Sequence, residues 1–135
     1  MSKYLDKSKE LRARTDIHYN CNQGVVLPFA EELGVDPEIL YNAGVNFGGG
    51  MKMGSVCGAV TGAIMTLGLF GVNDLSILQK VYRRVRENHE GCLDCKDLLH
   101  INADKGLPKK PHCDDMVYEL VQITEEILRE EGKIS

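Results

Sequence analysis

Cysteine stands at positions 21, 57, 92, 95 and 113. Thiolates attack disulfides and ligate soft metals, so these five side chains define the chemistry open to the chain. Three chemistries follow. Four thiolates are the usual ligand set of an iron–sulfur cluster, and the four cysteines expected at or beside helix N-termini, Cys21, Cys57, Cys95 and Cys113, would supply it. Its separations of 36, 38 and 18 residues are unlike the compact cysteine runs of ferredoxins, so tertiary folding must gather the sulfurs. Alternatively one thiolate attacks a disulfide and a second resolves it, with no metal. Here Cys57 is the expected attacking sulfur and Cys92/Cys95 the alternative pair. The third reading is a structural zinc site or a helical interaction module.

Cys92-Leu93-Asp94-Cys95 is a CxxC and can be a dithiol or half a metal site. Lys96 follows it instead of His, which excludes c-type haem attachment, and no second CxxC completes a zinc ribbon. His112 precedes Cys113 and is the one histidine placed to assist as base or additional ligand. His18, His89 and His100 read as solvated. The pairs Glu31–Glu32 and Glu125–Glu126 read as exposed helix faces.

The positioning elements read as helices throughout, because no stretch sustains period-two alternation. We expect an all-α fold: one compact bundle of about five helices, with a glycine-rich loop before a central apolar helix. Residues 1–135 form a single helical domain, divided into a peripheral N-terminal helix (1–15) and a cysteine-motif core (16–131). Asn20 caps a helix that Pro28 kinks and Gly34 ends. Asp36 with Pro37 starts the next. The run FGGGMKMGSVCGAVTG at 47–62 supplies the loop, and Ser55 is expected to cap the apolar helix Val56–Phe70. Asp74 begins another, CKDLL reads as a short turn, Asp104–Pro111 as a Gly/Pro loop, and the last helix starts near Asp114.

On this reading four cysteines lie at or beside helix N-termini, where unpaired N–H groups favour a thiolate. Gly48, Gly49, Gly50 and Gly58 shape the bend that presents Cys57. Gly54, Gly58 and Gly62 recur every four residues, leaving a nearly smooth face for close backbone approach. A triple glycine before a helix can also cradle an anion, but no GxxxxGK[ST] is present.

The net charge is −4. No basic stripe with interleaved aromatics exists, so nucleic acid is not an expected partner. Lys80, Arg83, Arg84 and Arg86 read as the solvated face of an amphipathic helix. The N-terminal MSKYLDKSKELRAR has no apolar signal region. Glycines, serine and threonines break the apolar run Met53–Asn73, and no aromatic or basic belt frames it, so no membrane insertion is expected. We expect a cytoplasmic protein with reduced thiols. Apolar residues left over on several helices are compatible with a homodimer. A redox partner protein is implied by either redox chemistry and is not specified by the sequence.

The chain resembles the Cys–GCAxxG–Cys–Cys family of redox-active proteins, small helical domains with four motif cysteines. The resemblance rests on Asn20–Cys21, on FGGGMKMGSVCGAVTGAIMTLGL at Phe47–Leu69, on CKDLL at Cys95–Leu99 and on Cys113. The core motif stands here as Cys57-Gly58-Ala59-Val60-Thr61-Gly62. It implies redox activity without choosing between metal and dithiol. By that resemblance Cys21, Cys57, Cys95 and Cys113 are the functional set and Cys92 is the extra. Of the two, the metal centre is favoured at this point, because four matching cysteines exceed what a dithiol needs.

Overall fold

The computed structural model describes residues 2–135, and among them every named element is helical. The chain runs through α1 (Lys3–Ala13), α2 (Cys21–Val26), α3 (Ala30–Leu33), α4 (Pro37–Gly44), α5 (Gly58–Leu69), α6 (Leu75–Asn88), α7 (Cys95–Asp104) and α8 (Lys109–Glu130). The all-α expectation holds, but the helices among the described residues number eight where about five were expected.

Local chemistry explains the difference. Pro28 lies in a tight three-residue turn, Leu27–Phe29, which splits the expected Asn20–Gly34 helix into α2 and α3. CKDLL opens the full ten-residue helix α7. The N-terminal helix expected over 1–15 forms as α1. It buries Tyr4, Ser8 and Leu11, and Tyr4 stacks on Phe29 with ring centroids 4.5 Å apart.

The start of α8 is also corrected, from Asp114 to Lys109. Pro111 sits in its first turn, where the missing N–H has no intrahelical partner to lose.

Helix α5 forms the centre, packed on α2 and α8, while α1 lies along α2 and α8. Its glycines make this approach tight. A Cβ on Gly62 would lie 2.8 Å from the Asn22 carbonyl oxygen and 3.0 Å from Val25 Cβ. A Cβ on Gly58 would lie 3.0 Å from the Phe47 carbonyl oxygen and 3.2 Å from Cys21 Cβ. The main core gathers Phe29, Val60, Leu67, Leu120, Ile123 and Leu128. A smaller cluster of Leu11, Val26, Leu27, Ala30 and Leu40 joins α1 to α4.

The basic residues of α6 are solvated as expected, and two of them tie it to α8: Lys80 pairs with Glu130 at 3.2 Å and Arg84 with Glu126 at 2.6 Å. Glu125 departs from the expected exposed face. It is 6% exposed and accepts hydrogen bonds from Ser2 and Arg129, which hold its charge at the α1–α8 contact. No helix among the described residues is long and apolar enough to cross a membrane.

Candidate functional site

Cys21 is the first residue of α2, and a buried polar network fixes it there. Asn20 Oδ1 accepts from the Gln23 amide at 2.9 Å, and Gln23 Oε1 accepts from the Asn20 amide at 2.7 Å. This reciprocal pair satisfies two donors that a helix start leaves open. Asn20 Nδ2 then donates to the Gly44 carbonyl at 2.9 Å, and Gln23 Nε2 to the Tyr41 carbonyl at 2.9 Å, tying the start of α2 to α4.

Cys57 and Cys95 are positioned by each other's chain segments. Val56 and Asp94 form an isolated antiparallel bridge. The Cys57 amide donates to the Leu93 carbonyl at 2.9 Å, and the Cys95 amide to the Ser55 carbonyl at 2.6 Å. Pairing keeps Ser55 extended (φ −81°, ψ −151°). The cap of α5 is therefore Cys57 itself and not Ser55, with the Cys57 carbonyl accepting from Val60 and Thr61. Cys95 begins α7.

The glycine loop makes this pairing geometrically feasible. Gly49, Gly50, Met51 and Lys52 all have left-handed φ values, between 58° and 64°. Two of the four are non-glycine residues, and each costs about 1–2 kcal/mol in that region. A Cβ on Gly50 would lie 2.3 Å from the Ser55 carbonyl oxygen and 2.8 Å from Cys95 Cβ. Only glycine fits there. Strain of this kind collects where a fold must hold a site.

Cys113 lies in the second turn of α8, not ahead of the helix as expected, because α8 begins at Lys109. Lys109 is thereby one helical turn before Cys113. Arg12 of α1 reaches the same place. Its Nε donates to Asp114 Oδ1 at 2.8 Å, and a terminal guanidinium nitrogen donates to the Tyr19 carbonyl at 2.7 Å.

The structure brings the four motif cysteines together. Cys21 and Cys113 are neighbours on one cavity wall, where their sulfurs interact. The interaction drives their titrations apart. Cys21 is raised, first by this interaction and then by burial. Cys113 is drawn down to about 7, first by Cys21 and then by Lys109 and Arg12 against the cost of burial. Cys57 is 5% exposed, and burial pushes it up to about 11, with the charges of Cys95 and Cys113 adding to the effect. Cys95 is raised by burial and by Cys113.

Cys21, Cys95 and Cys113 line an open cavity of about 860 Å³, whose wall includes Gly48 and Gly49. Cys57 is not part of its lining. Cys92 is outside it as well; its sulfur lies 3.8 Å from the Glu90 carbonyl oxygen. His112 borders a different cavity, of about 430 Å³, with His89 and Glu119. Burial and the neighbouring His89 lower its pKa.

Sequence reasoning missed the cations. Arg12, Lys52, Lys96 and Lys109 line the cysteine cavity. Lys96 follows Cys95 and Lys52 lies in the glycine loop, so adjacency to the motif was the available signal. Lys109 became recognisable only with α8 starting five residues earlier. Arg12 needed the tertiary fold.

The chain belongs to the C_GCAxxG_C_C family, whose model is described as "Putative redox-active protein (C_GCAxxG_C_C)" and matches residues 19–127. The match spans Cys21, Cys57, Cys95 and Cys113 together. No curated protein and no solved structure matches the chain.

Proposed function

We propose that this chain is a thiol redox protein in which Cys113 and Cys21 cycle between dithiol and disulfide. The observation that carries the reading is that Cys21 and Cys113 lie side by side on the wall of one open cavity, and the Cys21 thiol, with Lys109 and Arg12, draws the Cys113 thiol down to about 7. A thiolate is the attacking form, and a pKa near ambient pH balances its population against its nucleophilicity. The attacking sulfur is thus assigned to Cys113, which borders the cavity, and not to Cys57, which burial keeps protonated.

A second reading is supported by the convergence of all four motif cysteines, since a dithiol needs two. Thiols without an intervening carboxylate are the donor set of an iron–sulfur centre. Among the described residues, no three Cys, His, Asp or Glu side chains are close enough to hold one metal ion. A single zinc ion therefore does not fit the side chains as placed. A centre of more than one iron atom would take Cys21, Cys57, Cys95 and Cys113 as ligands and supply one-electron transfer.

Anaerobic purification, with iron, sulfide, zinc and thiol analysis of one sample, decides between them. The dithiol reading expects metal-free protein that loses two thiols per chain on mild oxidation. Iron with matching sulfide would overturn it in favour of the cluster.

A further inference from the structure

The cavity beside Cys113 is charged in one sense only. Arg12, Arg14, Lys52, Lys96, Lys109 and Lys110 line it, and no Asp or Glu does. This contrasts with a chain whose net charge is −4. Three of the six are already committed: Arg12 and Lys110 to Asp114, and Arg14 to Asp16. Lys52, Lys96 and Lys109 form no ion pair among the described residues. Lys52 reaches only the neutral Asn46 Oδ1, at 3.4 Å.

A concave surface of one sign focuses field and concentrates counter-ions. Its volume, about 860 Å³, lies in the range of small-molecule sites. The strained loop that places Lys52 in the wall also places Gly49 there and seats Gly50 against Cys95. One loop thus serves both the thiols and the positive charge.

We propose that the cavity binds a low-molecular-weight anionic disulfide, whose carboxylates Lys52, Lys96 and Lys109 receive while its sulfur–sulfur bond lies against Cys113. This names the substrate class for the dithiol reading above and rests on it. The Cys113 thiolate attacks one sulfur of the disulfide. The Cys113–substrate bond forms, the substrate's own S–S bond breaks, and the first substrate thiolate leaves. Cys21 then gives up its proton and attacks the Cys113 sulfur. The second substrate thiolate leaves, and one proton is taken up by a released thiolate. The protein dithiol is oxidised by two electrons to the Cys21–Cys113 disulfide, and the substrate is reduced by two electrons to one thiol and one thiolate.

The test measures oxidation of the reduced chain by dianionic dithiodipropionate and by neutral hydroxyethyl disulfide. Each rate is divided by that of free dithiothreitol with the same probe. The account expects the normalised anionic rate to exceed the neutral one by roughly ten-fold at low salt and to fall as salt is added. The double variant Lys52→Gln/Lys96→Gln should lose most of that preference while keeping the neutral rate within about two-fold, which also reports an intact thiol pair. Equal normalised rates in the unaltered chain, or an anionic preference untouched in the variant, would overturn the substrate class and leave the dithiol reading standing. Failure of both probes to form a disulfide would overturn both.

Discussion

Arg12 Nε lies 2.8 Å from Asp114 Oδ1, an ion pair that joins α1 to α8 at the residue after Cys113. The Arg12 side chain is only 9% exposed, and its second donor satisfies the Tyr19 carbonyl. The N-terminal helix therefore supplies a charge to the cysteine site as well as packing. Replacing Arg12 with Met would leave the Tyr19 carbonyl without its donor, while Lys110 still neutralises Asp114 at 3.0 Å. A loss of about 1–3 kcal/mol in denaturant unfolding is expected. The same variant should raise the pH midpoint of Cys113 alkylation, since Arg12 is one of the cations that lower it.

The pH dependence of thiol reactivity has a definite sign. The thiolate is the form that alkylates, so the rate at Cys113 should rise as pH increases through about 7. An ordinary thiol would rise near about 8.5. Cys21→Ala removes the group that contributes most to the depression and should move the midpoint upward. Peptide-resolved iodoacetamide labelling across pH reads both. A midpoint unchanged by Cys21→Ala would contradict the pairing.

Gly62→Ala tests the close crossing of α2 and α5. The added Cβ would meet backbone, the Asn22 carbonyl oxygen at 2.8 Å, so the helices must move apart. A cost of about 1–3 kcal/mol in unfolding free energy is expected. Gly50→Ala should be worse for the site. It combines a left-handed φ of 63° with a clash against Ser55 and Cys95, and should disturb the reactivity of Cys95.

Cys92→Ser is the control. Cys92 is half-buried at the edge of the main core and its sulfur makes one long hydrogen bond, so the substitution should change stability by about 1 kcal/mol or less. The two-thiol oxidation should persist unchanged. Loss of that oxidation would show that the CxxC, and not Cys21 with Cys113, is the working pair.

The all-α class was legible because apolar residues recur at helical spacing and because Asn20, Asp36 and Asp74 are good caps. Other features were hidden for physical reasons. α7 buries only Leu98 and the polar Asn102, which leaves little apolar periodicity to read. Asn102 Nδ2 instead donates to the Leu107 and Pro108 carbonyls at 3.0 Å each, closing the turn into α8. Pro111 reads as a helix breaker in sequence, yet it is harmless in a first turn. Ser55 has the composition of a cap. The bridge between Val56 and Asp94 overrides it, and pairing across 38 positions leaves no local trace. Glu125 illustrates the same limit: the contacts that bury it come from Ser2, at the other end of the chain, as well as from its own helix.

In the site itself, the family motif identified the four cysteines, and the fold brought them together. Which sulfur the proposed dithiol chemistry would use to attack was not legible, because it depends on the neighbours each sulfur meets. Cys57 heads the longest motif but lies buried, whereas Cys113 sits beside Cys21, Lys109 and Arg12 at the cavity.

The most direct test of the central claim is to oxidise the reduced chain with one equivalent of diamide and map the disulfide by mass spectrometry without reduction. The account predicts one principal cross-link, between the peptides carrying Cys21 and Cys113. A principal Cys92–Cys95 link, or no intramolecular disulfide at all, would contradict it.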